Sequence, residues 1–554
     1  MAISFRGGGI VYYKAASRLG TQIYELRIGN MATSAAETAN TTVNTMPVEK
    51  STLHRRAVLL LALYVAALLG PLALASTGGV VPAGQFIKQI ALGLGLAGLM
   101  IIATSFILAA RYYWVTDPFG LDAVMLFHRR MAIVGYCAIL LHIALLSYLN
   151  MGLLTRLWLP WHFQLGRIAI LLLTAQIIVS IYRSQLRVEF EKWRITHRLV
   201  GLAVLVVAFT HGLLSSGAFA PWPLRMVVFI VIAAAFWSLV WSHIIRPRRL
   251  KDYRYVVQSV DQIIAGVWQI KLQPGAGGQS LRYRPGQFAF FHFNRSGVDA
   301  TGEEHAWTIA SSPSETDGLM LAVKELGDFT RTIGMTKPGD VVTVHGPFGR
   351  FSHRLHKGND ELVFIAGGIG ITPFRSMLRW LVDRAENRRA LLLYANKSAG
   401  DIPFFDELEH YSNDSGGRVR VVHVLSRADG QWQGEKGRID IALIKKYCAG
   451  DLNGKTFWIC GPAAFTATMI QALRGAGVAE AKIHNEAFCL LHAPVQADGR
   501  GRRLKAITVA ISFALMVMVL LFALIRTDFL AARAGANHHT RHGALRHRVE
   551  TTPR

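Results

Sequence analysis

Long apolar stretches alternate with short polar turns through the first half of the chain, after a polar N-terminal segment. About 20 apolar residues in a helix are enough to cross the hydrocarbon core of a bilayer, which is about 30 Å thick. The pattern predicts six such helices, at residues 57–76, 86–114, 122–150, 163–183, 195–215 and 224–245. A last apolar run, at 506–525, predicts a seventh.

From about residue 253 the pattern changes to short apolar runs separated by glycine, proline and polar residues. The first runs predict the strands of a small antiparallel β-barrel, at 282–293, 305–313 and 339–351. Strands then alternate with helix-length segments, which predicts a doubly wound α/β domain with a parallel sheet. The clearest of these strands opens the segment 361–385, and others follow at 391–396, 419–426 and 455–461.

The chain therefore divides into seven parts. They are a disordered N-terminal extension (1–52), an all-α six-helix transmembrane domain (53–248), an antiparallel β-barrel (249–355), a doubly wound α/β domain (356–490), a basic linker (491–505), a seventh transmembrane helix (506–526) and a disordered basic tail (527–554). Residues 1–50 lack an apolar core, so we expect no cleavable signal peptide.

The 554 residues carry a formal net charge of +25. No helix-turn-helix pattern, stacking platform or zinc-ligand spacing accompanies that charge, so we exclude nucleic-acid binding. Basic residues cluster instead at the predicted membrane edges, as at 183–194, 246–251 and 500–505, where they favour contact with membrane lipid on the cytoplasmic side. We expect a bacterial-type inner (plasma) membrane protein with its soluble module in the cytoplasm. The four cysteines show no CxxC pairing, which argues against a disulfide framework or a metal cage.

Two histidine pairs share a spacing of fourteen residues: His128 with His142, and His197 with His211. Fourteen helical residues rise about 21 Å and end about 40° short of four full turns. Both members of a pair therefore lie near one helix face, one toward each side of the membrane. Intramembrane ionisable groups are costly and mark functional sites. We predict bis-histidine ligation of two b-type haems, with His128 and His197 at the inner level and the other two at the outer level.

Residues near these histidines give weaker signals. Gly135 lies midway in the first pair, where a small residue leaves room between two macrocycles. Arginines are candidates to pair with anionic haem propionates: Arg129, Arg130 and Arg198 at the inner level, and Arg167 at the outer level. The alternative, that these side chains reach toward lipid headgroups, stays open.

The strongest motif of the soluble half is GGIGITP, which contains Gly367, Gly368, Gly370, Thr372 and Pro373. Glycines between a buried strand and a helix let backbone amides approach a pyrophosphate at the helix N-terminus. Proline suits the first helical turn. A tight structural turn is the alternative. A later strand ends in Cys460, Gly461 and Pro462 and faces the same crevice.

With these motifs in this order, the chain resembles the ferric reductase and NADPH oxidase superfamily over about residues 57–490, and most of all its compact bacterial members. The resemblance implies an FAD-binding barrel and an NAD(P)-binding α/β domain like those of ferredoxin–NADP⁺ reductase. It also implies that electrons pass from a cytoplasmic nicotinamide cofactor through FAD and the two haems to an acceptor on the outer side.

The resemblance extends to three segments of the predicted flavin domain. Family members carry HPFT where this chain has HAWT, which implies that His305 and Trp307 contact the flavin and that Thr308 hydrogen-bonds near its reactive ring nitrogen. The segment KELGDFT resembles the family's flavin-pyrophosphate segment, which implies contacts from Lys324, Gly327, Phe329 and Thr330. The turn GPFG resembles the one that shapes the flavin–nicotinamide crevice, and contains Gly346 and Gly349.

The end of the module, IHNEAF, resembles the family's I-H-x-E-x-F. By this resemblance Glu486 joins Thr308 and Cys460 in the catalytic crevice, and Phe488 lies by the flavin face that the nicotinamide reaches. A buried core phenylalanine is the alternative for Phe488. Lys397 and Arg427 follow two strands and are candidates to neutralise a 2′-phosphate, which favours NADPH over NADH.

The electron acceptor is harder to predict. The predicted outer segments 76–85, 150–161 and 215–222 are short and mostly apolar, which favours dioxygen and superoxide production over a bulky ferric chelate. Metal reduction is favoured if the tail histidines bind a metal, although a solvated basic tail is the preferred interpretation: His538, His539, His542 and His547. A membrane electron-transfer subunit that feeds an external partner protein is the remaining alternative.

Overall fold

The structure, a computed structural model, describes residues 10–17, 20–27, 50–150, 155–156, 158–215, 221–295, 303–356, 358, 360–486 and 499–527. Seven helices in these ranges are long and apolar enough to cross a membrane. Six of the seven lie in the first half of the chain, where a short helix follows the second one. The bounds there are α1 Lys50–Ala75, α2 Phe86–Ala109, α3 Tyr113–Phe119 (the short helix), α4 Leu121–Leu149, α5 Trp161–Ile181, α6 Phe190–Ser215 and α7 Trp222–Val240.

The N-terminal extension differs from the expected disorder. It contains a two-stranded antiparallel hairpin, β1 (Ile10–Ser17) and β2 (Gly20–Arg27). The run of β-branched and aromatic residues that opens β1 favours strand formation, and the composition of the whole segment obscured this local pattern. Phe488, the tail histidines and residues 491–498 of the linker lie outside the described residues.

The second membrane helix is shorter than predicted. It ends at Ala109, and Arg111 then adopts a left-handed backbone conformation with a φ of 54°. A right-handed helix cannot include that conformation. The Arg111 guanidinium donates to Glu304 in the following domain, so the turn keeps this charge out of the apolar span. The short helix α3 follows and ends at Gly120, whose φ of 89° suits glycine.

A shared apolar core joins the membrane helices. Helix α2 contributes heavily to it, with Ala97 and Met100 fully buried. Helix α2 packs closely against α4, and α5 packs closely against α6, so each histidine-bearing helix has one intimate neighbour. Helix α7 ends in a π-helical turn, Trp241–Ile245, and the short helix Arg246–Arg249 leads into the next domain.

The second domain is a six-stranded antiparallel sheet with its own apolar core. The strands are β3 Arg254–Ile264, β4 Val267–Pro274, β5 Phe288–Asn294, β6 Glu304–Thr308, β7 Leu319–Lys324 and β8 Val341–Phe348. Their order is β6-β5-β8-β3-β4-β7. Strands β6 and β7 stand at the two ends of this order, and closure into a barrel stays a prediction.

The third domain is a six-stranded parallel sheet, as the alternating pattern predicted. The strands are β9 Glu361–Gly367, β10 Ala390–Asn396, β11 Val419–Leu425, β12 Glu435–Lys436, β13 Lys455–Cys460 and β14 Ile483–Glu486, in the order β12-β11-β10-β9-β13-β14. Helices α8 (Thr372–Asp383) and α9 (Phe405–Asp414) cover one face of the sheet, and α10 (Ile441–Tyr447) and α11 (Ala463–Gly475) cover the other. The strand order reverses between β9 and β13, which is where ligands bind in such sheets.

The C-terminal helix α12 (Gly499–Arg526) returns to the membrane helices. Its residues Leu515, Val519 and Phe522 belong to the same buried cluster as α1, α2 and α4. The opposite face is apolar and exposed, with Phe513 and Met516 more than half accessible. Helix α12 is therefore an integral member of the helical domain.

Candidate functional site

The four predicted haem ligands lie on α4 and α6 as two pairs. The rings of His128 and His197 have their centroids 6.5 Å apart, and their planes are inclined at 76°. Two imidazoles on opposite sides of one metal ion have centroids roughly 6 Å apart, because each metal–nitrogen bond is about 2 Å long and each ring centre lies about 1 Å beyond its nitrogen. The spacing therefore fits an iron with two axial imidazoles. We call this the proximal pair, because it lies at the end of the helices that contacts the antiparallel sheet.

His142 and His211 form the distal pair, at the other end of the same two helices. Nδ1 of His142 lies 2.7 Å from the carbonyl oxygen of Ala91 on α2. Nδ1 of His211 lies 2.7 Å from the carbonyl oxygen of His162 on α5. Because a carbonyl oxygen only accepts, each Nδ1 donates and leaves Nε2 unprotonated, ready for a metal. Hydrogen bonds of this kind fix the tautomer and orientation of metal-bound histidines.

Two glycines that the sequence analysis did not single out make these contacts possible. A Cβ on Gly95 would lie 2.9 Å from the His142 ring, and a Cβ on Gly166 would lie 2.9 Å from the His211 ring. Each glycine comes four residues after the carbonyl that accepts the histidine proton, so its missing side chain gives the ring access to that carbonyl. The same four-residue spacing on two helices is the signal that reveals them.

The proximal histidines have different supporting contacts. Nδ1 of His197 lies 3.3 Å from Oγ of Ser180. That hydroxyl donates to the Gln176 carbonyl oxygen and accepts from the indole N–H of Trp193, so His197 is a second donor to it. Nδ1 of His128 is buried and has no hydrogen-bond partner among the described residues. The two levels thus present the same ligand type with different hydrogen-bond support.

Gly135 does not leave the expected space between the two levels. A Cβ at Gly135 would lie 2.9 Å from Cγ2 of Ile101 on α2, so that side chain fills the room. Gly98 on α2 likewise faces Ile139 on α4. Small residues allow membrane helices to approach closely. Gly135 therefore serves the packing of α2 against α4.

A basic cavity of about 240 Å³ opens at the junction with the antiparallel sheet, and its lining residues are Arg194, Arg198, Arg246, His292 and Glu304. Nε of Arg194 and Nε of Arg246 are buried without a hydrogen-bond partner in the described part of the chain. Of the predicted inner-level arginines, Arg198 lines this cavity, whereas Arg129 and Arg130 do not. The outer-level candidate Arg167 donates to the Arg156 carbonyl oxygen.

Ion pairs, one partly buried and one buried, connect the antiparallel sheet to the helices. Arg111 pairs with Glu304 at 2.9 Å. Burial alone would raise the pKa of Glu304, but Arg111 and Arg246 outweigh it and lower that pKa to about 2. Asp117 on α3 accepts from Arg284 at 3.1 Å, and its main-chain carbonyl oxygen accepts from Arg350. These contacts join the helical domain to the antiparallel sheet.

The predicted flavin residues of β6 converge on one aromatic patch. The His305 ring stacks on Phe329 with centroids 3.9 Å apart and on Trp307 with centroids 5.3 Å apart. Burial lowers the pKa of His305 to about 4, so this ring is neutral at pH 7. Arg295 was not predicted from the sequence as part of this patch. Its guanidinium lies 4.5 Å from the Phe329 ring centroid. Thr308 is buried at the end of the strand.

Glycines and a threonine shape the neighbouring turns. Oγ1 of Thr330 accepts from the backbone N–H of Gly327 at 2.9 Å, which fixes the turn after Lys324 at the end of β7. Gly346 on β8 faces Ala289 with no room for a Cβ. Gly349 has a φ of 91°, and a Cβ there would meet Phe288.

The predicted nicotinamide residues lie together at the reversal of strand order. Gly367 ends β9, and α8 begins at Thr372 with Pro373 in its first turn. A Cβ on Gly370 would lie 2.4 Å from the carbonyl oxygen of Cys460 at the end of β13, so the two turns touch. Gly368 has a φ of 54° with open space beside it, as expected of a turn that lines a ligand crevice.

The same edge of the sheet brings the second turn and the end of β14 into the crevice. Cys460 pairs with Glu486 across the parallel strands. Burial, and secondarily the Glu486 carboxylate, raise the pKa of the Cys460 thiol, so it stays protonated at neutral pH. Gly461 packs against Gly367, and Pro462 precedes α11. Glu486 also lies near Gly349 of the antiparallel sheet, which joins the flavin and nicotinamide turns.

Lys397 and Arg427 follow β10 and β11, and the structure places them side by side. The Arg427 backbone N–H donates to the Lys397 carbonyl oxygen at 2.7 Å. Both strands end at the edge of the sheet that carries the glycine turn, since β9, β10 and β11 are parallel and in register. The two cationic residues are therefore neighbours on the ligand side of the sheet.

Three family profiles match successive parts of the chain. The ferric reductase like transmembrane component matches residues 94–208. The oxidoreductase FAD-binding domain matches 255–353, and the oxidoreductase NAD-binding domain matches 364–471. Together with the seven apolar helices, these matches make the chain a membrane-linked flavin and NAD(P)H oxidoreductase.

Relatives of known function match about half of the chain. The glycine betaine monooxygenase reductase subunit of Pseudomonas aeruginosa (strain UCBPP-PA14) is 27% identical over 45% of this chain and 68% of its own length. The phenol 2-monooxygenase reductase component DmpP of Pseudomonas sp. (strain CF600) is 31% identical over 46% of this chain and 68% of its own. A flavohemoglobin structure from Malassezia yamatoensis matches with 19% identity and a TM-score of 0.42 over 74% of this chain and all of its own. From the order of its three matched domains, the chain belongs to the ferric reductase/NADPH oxidase-like family.

Proposed function

We propose that the protein carries electrons across a membrane, from cytoplasmic NAD(P)H through FAD and two haems b to dioxygen on the outer side, with superoxide as the product. The observation that carries the proposal is the pair of two-histidine sites on α4 and α6. One site lies beside the antiparallel sheet of β3 to β8, here called the flavin-type sheet, and the other lies at the far end of the same helices. When bound, FAD would take a hydride from the nicotinamide and the haems would carry single electrons.

The histidines fit that role through their hydrogen bonds. His142 and His211 each donate from Nδ1, so Nε2 of each is available to an iron. His197 does the same through Ser180. Histidines on both faces of an iron leave no open coordination position. With His142 and His211 holding both positions of an iron, an outer acceptor would receive its electron without binding the metal.

The basic cavity supports haem at the proximal level. Four guanidinium groups, of Arg111, Arg194, Arg198 and Arg246, face the carboxylates of Glu191 and Glu304, so the junction keeps an excess of positive charge. Haem propionates are anionic carboxylates, and charge-assisted hydrogen bonds from arginine are their strongest partners in proteins. The two buried Nε groups without described partners are donors that such carboxylates would satisfy.

The soluble module would supply the electrons from the cytoplasmic side. The arginine-rich segment 246–251 lies where α7 leads into the flavin-type sheet, and such segments favour the cytoplasm. Thr308 and the stacked rings of His305 and Trp307 would border the flavin. Lys397 and Arg427 give adjacent positive charges for a 2′-phosphate, which favours NADPH.

The sequences of the segments at the distal end favour dioxygen as the electron acceptor. Residues 76–85, 150–161 and 215–222 contain no Asp or Glu, so their sequences offer no acidic surface to a ferric chelate. Dioxygen needs no such surface. Ferric or metal-chelate reduction is the first alternative, favoured by the histidines of the tail. A subunit that feeds a protein partner is the second, favoured by relatives named as reductase subunits or components of oxygenases.

The test is oxygen consumption and superoxide release by purified, FAD-reconstituted protein given NADPH and then NADH, with haem spectra recorded alongside. Haem reduction with dismutase-sensitive electron flow to oxygen supports the proposal. Haem reduction that stalls in air, and resumes with a ferric chelate or an added protein, supports an alternative acceptor. A purified protein without reducible haem bands would overturn the proposal.

A further inference from the structure

The C-terminal helix α12 packs against α2, the helix whose Ala91 carbonyl oxygen supports His142. On α2, a Cβ at Gly93 would lie 3.0 Å from the Phe522 ring and 3.3 Å from Val519, both of α12. Phe522 is 1% exposed and Val519 is 3% exposed. The missing side chain of Gly93 therefore lets α12 approach the backbone of α2 directly.

The other side of the same turn of α2 holds His142. The Ala91 carbonyl oxygen accepts from His142 Nδ1 at 2.7 Å, and Gly95 faces the His142 ring. Residues two apart on a helix are about 200° apart around its axis. Gly93 therefore points away from Ala91 and Gly95, and this turn of α2 lies between Phe522 on one side and His142 on the other.

Helix α12 is also fixed at its end. The Val81 N–H donates to the Arg526 carbonyl oxygen at 2.7 Å, and Val81 forms a parallel β-bridge with Thr527. Arg526 and Thr527 are both less than one-tenth exposed, and the Arg526 side chain packs against Gly78. The segment between α1 and α2 and the end of α12 are therefore tied together next to the start of α2.

We propose that α12 is a positioning element for the distal site: through Phe522 and Gly93 it holds α2 so that the Ala91 carbonyl oxygen orients His142. The proposal rests on the proposed haem ligation. Phe522 meets α2 at Gly93 and lies on a different helix from all four histidines, so it is a positioning residue. His197 of the proximal pair is supported instead by Ser180 on α5.

The test replaces Phe522 with alanine in the full chain. Phe513→Ala is the matched control, because Phe513 lies on the same helix with 62% of its surface exposed. His142→Ala supplies the reference spectrum for complete loss of one distal ligand. The readouts are the electron paramagnetic resonance signals of the oxidised haems, their two midpoint potentials and carbon monoxide binding to the reduced protein.

We expect Phe522→Ala to reproduce part of the His142→Ala signature: a fraction of one haem binds carbon monoxide, and one midpoint potential shifts while the other stays constant. Val519→Ala removes less side chain and should give a smaller change of the same kind, which covers the case in which Phe522→Ala fails to fold. Phe513→Ala should match the wild type. Unchanged distal signals in both core variants, or equal changes at both haems, would overturn the inference. A wild-type protein that binds no haem would overturn the proposed function instead.

Discussion

The imidazole Nδ1 of His211 lies 2.7 Å from the main-chain carbonyl oxygen of His162, and this contact depends on a glycine one turn further along α5. A main-chain acceptor cannot be removed by mutating its own residue, so the orientation of His211 is built into the backbone. His142 has the same arrangement with Ala91. The two distal histidines are thus held by helices α2 and α5, which carry none of the four ligands.

Gly166→Ala should therefore disturb the distal site. The added methyl would lie 2.9 Å from the His211 ring, which is closer than a carbon–carbon contact allows, so the ring must turn away from its carbonyl partner. We expect weaker axial ligation of one haem, measured as partial high-spin character in the oxidised spectrum. Gly70→Ala on α1 is the control, because no atom of the described residues lies within 4 Å of a Cβ there. Identical spectra for the two variants would contradict the prediction.

His211→Ala should abolish reduction of an external acceptor while leaving transfer from NAD(P)H to FAD intact. The imidazole is the proposed iron ligand of the distal haem and lies on α6, far from the nicotinamide crevice. Flavin reduction in stopped-flow measurements checks the first half of the path, and reduction of a membrane-impermeant acceptor checks the second. Surviving external reduction would show that His211 is not a distal ligand.

Asp117→Asn should loosen the docking of the flavin-type sheet against the helices. Asp117 and Arg284 have side chains only 8% and 4% exposed, and the substitution leaves the guanidinium without its neutralising carboxylate. Breaking a buried ion pair in this way costs about 3–5 kcal/mol. We expect slower haem reduction by NADPH with unchanged flavin reduction, and a lower melting temperature.

The double variant Asp117→Asn/Arg284→Gln is the control for that prediction. Removing both charges avoids an uncompensated buried cation, so its loss of stability should be smaller than the sum of the two single changes. Additive losses would mean that the two residues do not act as a pair.

The histidine pairs could be predicted from the sequence because a single helix fixes the relative direction of residues fourteen apart. The groups that support these histidines could not be predicted in this way. The contacts of His142 with Ala91 and of Arg111 with Glu304 depend on which elements pack together and at what rotation, and no local pattern records this. Arg111 also ends α2 earlier than hydropathy predicts. The helix ends at Ala109, because Arg111 turns out of it to pair with Glu304 in the next domain.

The soluble domains were predictable for a related reason. Alternating strands and helices with a glycine turn after the first strand specify a parallel sheet, and the carboxyl ends of such strands meet at one edge. That rule predicts that the turns of Gly370 and Cys460 lie together, and they touch in the structure. The predicted role of Gly135 was wrong, because the space beside it is filled by Ile101 of another helix, which no local pattern records.

Gly370→Ala should weaken nicotinamide binding without loss of haem. The added methyl would lie 2.4 Å from the Cys460 carbonyl oxygen and 2.8 Å from Gly461, so the glycine turn must move away from β13. We expect a higher KM for NADPH with haem content unchanged. Gly400→Ala is the control, since within the described part of the chain a Cβ there has no atom within 4 Å. Lost haem would mean that the substitution disrupts folding of the whole chain.

Acidification should destabilise the docked flavin-type sheet through His345. Burial, with Arg246 and Arg111 nearby, lowers the pKa of this β8 imidazole from 6.5 to about 3. Between those values the unfolded chain binds a proton that the folded protein does not. The contribution of the neutral His345 imidazole to the free energy of unfolding is therefore fully present above pH 6.5 and falls as the pH decreases toward 3, by up to about 1.4 kcal/mol per pH unit.

His345→Gln should flatten the dependence of the melting temperature on pH between 7 and 5, whereas the exposed His410→Gln should leave it as steep as in the wild type. Equal slopes in all three proteins would show that His345 is not the group that responds.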